Sequence, residues 1–439
     1  MKALDFVFLL LIGSHRLTSF VANPEQNQSF ENHERMKNAS EICKKLYDEY
    51  RSHIEQFTPK SGFASSIVDE QQENEQFLNT FIEINDIQNI QKTETVKHAE
   101  SKEYFAIDVG GTYLKLGIFK KNIKIFEQIA SKKTKIPIDE AKDQDMFEWI
   151  AKEVKDFLQN ENTDMKKKLR ASLTFSYPVK QDSLSSGKIT KMCKNFNFKP
   201  IDGCDPVKSL NDIFKKNGMN VSVDILLNDT TATLMASHHI NKNIKVAVVL
   251  GTGTNGAYII NDKIINSEWG HYKPKINLEQ LDKDEAKLQN NFIPQEIESY
   301  IGGISFKKRI QSEFKCNDDE FEEIMKEYYL VTDENKIKPN YLDKYNKIKS
   351  IKQTIMRILA TLIAAAHVQE SENDRIVVGI NGSGLEKDAD KNMLKETVNW
   401  VYKKVLKVHY AQPTLIFTDN ASLIGGVYAL SMQKIKNAV

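Results

Sequence analysis

The stretch FAIDVGGTYLKLGIFK, residues 105–120, sets an acid, two glycines and a hydroxyl between two apolar runs of β character. These are Asp108, Gly110, Gly111 and Thr112. Glycines let backbone N–H groups approach an anion without side-chain obstruction, and the hydroxyl adds a donor. A carboxylate cannot face a phosphate directly, so Asp108 would hold a cation that does. Gly-Gly is also ordinary turn chemistry, and a plain hairpin would explain the stretch taken alone. The chain supplies a second half. KVAVVLGTGTNGAYIINDKII, residues 245–265, puts Gly251, Thr252 and Gly253 into the same strand–turn–strand setting. Two such hairpins on two lobes could hold the phosphates of a nucleotide from opposite sides. The sequence has no G-x-x-x-x-G-K-[ST] loop and lacks the protein-kinase catalytic-loop set.

The elements that must position these turns follow from pattern. A chain of 439 residues suits two packed lobes. YFAIDV, LKLGIF and IKIFEQI come in quick succession, as in an antiparallel meander. MFEWIAKEVKDFLQN has the apolar spacing of an amphipathic helix, and RASLTFSYPV and VSVDILL read as further strands. IMRILATLIAAAHV carries Arg357 and is too short to span a bilayer, so it reads as a core helix. SEICKKLYDEYRSHIEQF, residues 40–57, has helical spacing behind a capping Ser40. Residues 23–40 are polar and without periodicity, which predicts disorder, and 58–102 read as polar and irregular, broken by FLNTFIEI.

Composition excludes several classes. The formal net charge is +1, so no global field favours nucleic acid or an acidic membrane. Cys43, Cys193, Cys204 and Cys316 are scattered, and neither they nor the nine histidines show metal-ligand spacing. MKALDFVFLLLIG has a lysine and then an apolar run of signal-peptide length, with Ala22 as a cleavage point, and reads as a secretory signal over 1–22.

Eight motifs then fall in order between about residue 103 and 430: AIDVGGTYLKLGIF, LTFSYPVKQDSLSSGKITKMCKNF, LLNDTTATLMAS, GTGTNGAY, NSEWGHY, PQEIESYIGG, VVGINGSGLEK and TDNASLIGGVYAL. Together they resemble the eukaryotic-type hexokinases of the actin-like ATPase superfamily. The signal and the Lys/Asn-rich chain are most similar to the secreted hexokinases of microsporidia. The resemblance implies an α/β fold: two lobes of actin-like ATPase (ribonuclease H-like) type around a central cleft. Residues 23–102 would form an N-terminal segment whose helix packs on the large lobe. Residues 103–228 would form the small lobe, 229–420 the large lobe, and 421–439 a helix returning to the small lobe. It also implies ATP and Mg²⁺ as cofactors and a hexose, glucose foremost, as acceptor.

Carried over motif by motif, the resemblance implies Asp229 as the base that takes the proton of the sugar hydroxyl, although Asn228-Asp229-Thr230 alone would read as a helix cap. Lys194 would reach sugar and transferring phosphate. Ser176, Tyr177, Cys193, Asn228, Asn255, Glu268, Gln295 and Glu298 would line the sugar, with Tyr177 packing beside it and Trp269 kept for the core. Asp108 would hold Mg²⁺ through water. Gly110, Gly111, Thr112, Lys115, Gly251, Thr252 and Gly253 would grip the phosphates. Gly382 and Ser383 would lie on the adenosine side, and Gly425 would let the last helix approach the nucleotide.

Three departures stand out. Cys193 replaces a Thr with a weaker hydrogen-bonding group. Tyr113 and Lys115 replace Asn and Arg, and Lys lacks the planar fork of Arg. Asn420 and Ala421 alter the final turn. These substitutions leave open a catalytically weak sugar-binding or regulatory protein, or a kinase for another hexose. Asn228 and Asn381 sit in formal glycosylation sequons and are expected to be unmodified, because a glycan there would block the cleft. No membrane anchoring after signal cleavage and a monomer or homodimer complete the expectations.

Overall fold

The computed structural model describes residues 24–57, 76–83, 103–122, 125–137, 141, 144–164, 166–190, 198–281, 294–367, 375–408 and 413–436. The expected signal at 1–22 lies outside them, as do Cys193 and Lys194.

Two sheets carry the fold, and they repeat one design. The first runs β4-β3-β2-β5-β8, formed by β2 (Glu103–Val109), β3 (Tyr113–Asn122), β4 (Ile125–Lys135), β5 (Leu169–Phe175) and β8 (Val221–Leu227). The second runs β1-β11-β10-β9-β12-β13. Its strands are β1 (Leu78–Glu83), β9 (Ile244–Leu250), β10 (Thr254–Ile260), β11 (Lys263–Asn266), β12 (Val377–Asn381) and β13 (Thr414–Phe417). In each sheet an antiparallel meander (β2-β3-β4, β9-β10-β11) is followed by two parallel strands added beside its first member. A small hairpin, β6 (Val179–Ser183) with β7 (Ser186–Ile189), stands apart.

The helices are α1 (Pro24–Phe57), α2 (Met146–Asn160), α3 (Pro206–Lys216), α4 (Asp229–Ile240), α5 (Ile297–Ile301), α6 (Gly303–Phe314), α7 (Asp318–Leu330), α8 (Pro339–Ala366), α9 (Asp388–Trp400) and α10 (Ala421–Lys436). Strand periodicity decides which helices each face receives. Phe105, Ile107 and Val109 of β2 face Ile150, Val154 and Phe157 of α2 and Leu210 and Phe214 of α3. The alternate residues, Tyr104 and Ala106, face α4 and α10, which lie between the two sheets. The outer face of the second sheet packs Val246, Val248 and Ile380 against α1 and α8.

Two expectations are corrected. Ser40 caps nothing: α1 begins at Pro24, where proline is suited to a first helical turn. Within α1, described burial from residue 34 onward begins at Ala39, so apolar spacing reported where the helix packs and not where it starts. FLNTFIEI supplies β1, which pairs antiparallel with β11 at the sheet edge. Among the described residues no helix is long and apolar enough to cross a membrane.

Candidate functional site

A cleft of about 560 Å³ opens between the lobes. Its floor is made by the two hairpin turns, and the chain places them by the same local rule. Gly110 N–H bonds the Tyr113 carbonyl at 3.0 Å, and Gly251 N–H bonds the Gly253 carbonyl at 2.9 Å, so each turn folds tightly and leaves its Thr at the tip. The tips meet: Thr112 Oγ1 and Thr252 Oγ1 are 3.3 Å apart.

Asp108 ends β2 directly before the first turn and is 3% exposed. Ser422 Oγ donates to its Oδ2 at 2.5 Å, and Lys115 Nζ lies 3.4 Å from the same oxygen. Burial raises the carboxyl above the usual range, while Lys115 and Ser422 pull it down. Lys115 is therefore engaged with an acid inside the protein. Tyr177 lines the cleft, but its hydroxyl donates to the Gly110 carbonyl at 3.3 Å, and its ring packs on Phe175. The hydroxyl also braces the first turn from the cleft wall, which a phenylalanine could not do.

Asp229 opens α4, where Asn228 is the cap and accepts from Thr230 N at 2.9 Å. Asp229 Oδ1 accepts from Thr230 Oγ1 at 3.2 Å, and both Asp229 and Asn228 line the cleft. Beside them runs an amide–carboxylate network. Asn228 Nδ2 and Asn266 Nδ2 donate to Glu268 Oε1 at 3.3 and 2.7 Å. Asn255 Nδ2 reaches Asn266 Oδ1 at 2.8 Å and Asn228 Oδ1 at 3.2 Å. Glu268 is held at φ 48°, ψ 39°, a left-handed conformation that costs a non-glycine residue about 1–3 kcal/mol. Such strain persists where surroundings over-determine it, and here it turns the carboxylate onto the two amides. Trp269 is fully buried, and its Nε1 donates to Thr254 Oγ1 at 3.2 Å.

Glu298, on α5, reaches the second turn, where its Oε2 accepts from Thr254 N at 3.1 Å. A Cβ on Gly253 would lie 2.0 Å from that oxygen, so any larger residue there would displace the Glu298 carboxylate. Gly382 has φ 114° and a Cβ there would lie 2.2 Å from the Leu250 carbonyl, which requires glycine. Gly382 and Ser383 line the far side of the cleft with Thr418. The Thr418 hydroxyl is buried with no partner among the described residues.

The structure thus gathers Asp108, Gly110, Gly111, Thr112, Lys115, Ser176, Tyr177, Asn228, Asp229, Gly251, Thr252, Gly253, Asn255, Glu268, Glu298, Gly382 and Ser383 around one cavity. Two expected members fall elsewhere. Gln295 is solvent-exposed just before α5 and is not part of the lining. Gly425 is in α10 with a would-be Cβ 1.8 Å from the Ala232 carbonyl. It serves the close crossing of α4 and α10, the two helices shared by the sheets. Asn266 and Ser422 were missed. Both lie inside the quoted motifs, but nothing in their types or spacing shows which carboxylate each would meet.

Chemically, the cavity joins hydroxyl and glycine turns suited to phosphates, an amide–acid network suited to a polyol, and carboxylates of two kinds. Among the described residues no group of three or more His, Cys, Asp or Glu could hold a metal. Asp108 suits Mg²⁺ of another type, since that ion keeps several waters and uses one or two carboxylates with substrate phosphates. Among the described residues both side-chain contacts of Asp108 fall on Oδ2, which leaves Oδ1 for such a ligand.

Comparison with known proteins agrees with this geometry. Residues 49–239 match the family model described as Hexokinase. The rice protein Hexokinase-10 is 31% identical over 221 residues, covering 46% of this chain and 43% of the rice protein. Hexokinase-1 of Saccharomyces cerevisiae is 32% identical over 163 residues, covering 36% of this chain and 34% of the yeast protein. The chain thus matches less than half the length of these curated relatives. Among solved structures, the Schistosoma mansoni hexokinase complexed with glucose has a TM-score of 0.62 at 17% identity, covering 90% of this chain and 95% of that one. A second hexokinase structure has a TM-score of 0.59 at 17% identity, covering 91% and 95%. The fold is the two-lobed actin-like ATPase fold of these enzymes.

Proposed function

We propose that this protein, whose residues 49–239 match the hexokinase family model, is an ATP-dependent hexose kinase acting on the C6 hydroxyl, with D-glucose as the favoured acceptor. One observation carries the reading. The two Gly/Thr turns, one from each lobe, bring their hydroxyls to 3.3 Å over a cleft that also holds Asp229 and the Asn228–Glu268–Asn266 network.

Phosphoryl transfer needs alignment and charge neutralisation more than covalent help. The network of amides and carboxylates supplies donors and acceptors for a ring of hydroxyls, with Glu268 and Glu298 as acceptors for neighbouring ones. Asp229, at the opening of α4, takes the proton of the C6 hydroxyl as its oxygen attacks the γ-phosphorus and ADP leaves. The backbone of the two turns, with Thr112 and Thr252, orients the phosphates from both lobes. Gly382, Ser383 and Thr418 line the side toward the nucleoside. Mg²⁺ held at Asp108 would offset phosphate charge. Lys194 is proposed, from its motif, as the cation at the transferring phosphate. Binding of sugar and nucleotide to opposite walls favours closure and exclusion of water.

The apolar segment near the N-terminus supports a secreted form, and that segment together with the Lys/Asn-rich composition supports kinship with the microsporidian hexokinases. Both parts rest on sequence. The test is ADP release by the purified chain with Mg-ATP and glucose. Glucose should stimulate turnover, and Asp229→Ala should lower kcat by about 10²–10⁴. Turnover indifferent to glucose, or an unimpaired Asp229→Ala protein, would refute the assignment.

A further inference from the structure

The contact between Ser422 and Asp108 belongs to none of the roles given above. Ser422 sits in the first turn of α10, far along the chain from β2, and is 2% exposed. Its backbone is pinned from the small lobe, because Thr174 Oγ1 donates to the Ser422 carbonyl at 3.0 Å. One turn on, a Cβ at Gly426 would lie 2.5 Å from Ser172 Oγ, so α10 is seated directly on β5. That seating delivers the Ser422 hydroxyl to Asp108 Oδ2 at 2.5 Å. Lys115 Nζ approaches the same oxygen at 3.4 Å. Two donors on one oxygen fix the carboxylate plane. Among the described residues no hydrogen bond or ion pair falls on Oδ1, and Asp108 and Ser422 both line the cleft.

We infer that Ser422 is a positioning residue for the nucleotide-bound cation. With Lys115 it locks Oδ2 of Asp108 and reserves Oδ1 for hydrated Mg²⁺. The C-terminal helix thereby completes the metal-facing acid of the first turn. This inference rests on the kinase reading. Partners that orient metal-binding carboxylates commonly change metal affinity 10–100-fold when removed. Ser422 proton donation to Asp108 also means that the hydroxyl's hydrogen is not available to the nucleotide, so its effect should be confined to the cation.

The experiment uses the full chain with ADP and glucose, and Mn²⁺ as the probe, followed by electron paramagnetic resonance. Wild type, Ser422→Ala and Asp108→Asn are titrated in parallel, and glucose binding is measured by calorimetry. Ser422→Ala should weaken Mn²⁺ about tenfold, raise the Mg²⁺ concentration for half-maximal turnover similarly, and leave glucose affinity within about twofold. Wild-type Mn²⁺ affinity in Ser422→Ala, with affinity lost in Asp108→Asn, would overturn the role of Ser422 alone. Equal weakening of Mn²⁺ and glucose would reduce Ser422 to a structural residue and overturn it too. Undiminished Mn²⁺ binding by Asp108→Asn would instead remove Asp108 as the metal acid and, with it, that part of the kinase reading.

Discussion

The two Gly/Thr turns sit at matching places in sheets of the same strand order, yet each uses its acid differently. At the first turn the acid lies in the preceding strand. Asp108 is buried; one of its oxygens is held by Lys115 and Ser422, and among the described residues no hydrogen bond or ion pair falls on the other. At the second turn the acid comes from α5, and Glu298 Oε2 is consumed by the backbone N–H of Thr254. The first arrangement leaves an acid oxygen facing the cleft, where the proposed cation would sit, while the second turns its acid to shaping the turn. Braces differ accordingly. Tyr177 supports the first turn with a neutral hydroxyl, whereas the second turn is shaped by a charge-assisted bond, the stronger kind. On the proposed reading, the duplicated scaffold has a cation-binding half and a sugar-facing half.

The sharpest way to break the contrast is at Gly253. A methyl there would lie 2.0 Å from Glu298 Oε2 and would evict the carboxylate from Thr254 N. Gly253→Ala should lower kcat/KM for glucose by about 100-fold, or roughly 2.7 kcal/mol. A Gly110→Ala protein, whose new Cβ would meet the Tyr113 carbonyl at 3.1 Å, should lose far less. Steady-state kinetics with each substrate varied decides this, and equal losses would erase the distinction between the turns.

The charge held at the first turn predicts a stability effect. Burial raises the Asp108 carboxyl, so the folded state holds its proton more tightly than the unfolded chain does. The sign follows by linkage: its favourable contribution is present below the unfolded carboxylate pKa and is lost as pH rises through the raised folded value. At neutral pH the ligand-free protein carries that cost. Asp108→Asn should raise its melting temperature by a few degrees, about what 1 kcal/mol gives in a lobe of this size, while abolishing turnover. A lower melting temperature at neutral pH would show that Lys115 and Ser422 already outweigh the burial.

The smallest effect concerns the neutral brace. Tyr177→Phe removes one hydrogen bond to Gly110, worth about 1 kcal/mol. It should raise KM for Mg-ATP by about fivefold and leave KM for glucose unchanged. A change in glucose KM instead would show that the hydroxyl acts on the sugar side.

Much of this fold was legible because its signals are local. MFEWIAKEVKDFLQN has its apolar residues on one helical face, and α2 spans those residues behind the Asp145 cap. VSVDILL alternates toward two cores and forms β8 over the same residues. The start of α1 was not legible, since Pro24 to Ser40 is a polar stretch without apolar periodicity and the helix runs through it. Nor was β1, whose hydrogen-bonding partner β11 lies far along the chain. The turn glycines, threonines and acids announced themselves by type. Gly425 did not, because a glycine tolerates a ligand and a crossing helix equally, and only the approach of Ala232 decides between them.

By itself the sequence determined the two strand–turn–strand units, their glycines and hydroxyls, and the presence of Asp108 and Asp229 beside them. Those features depend on backbone sterics and on residue type, which act over a few neighbours. Tertiary structure alone decided that the two turns meet at Thr112 and Thr252, and that Asn266 serves Glu268. It also set Glu298 on the second turn and Ser422 on Asp108. A carboxylate takes whichever donor the packing of distant helices and strands brings within about 3 Å, and that choice is written in no single segment of the chain.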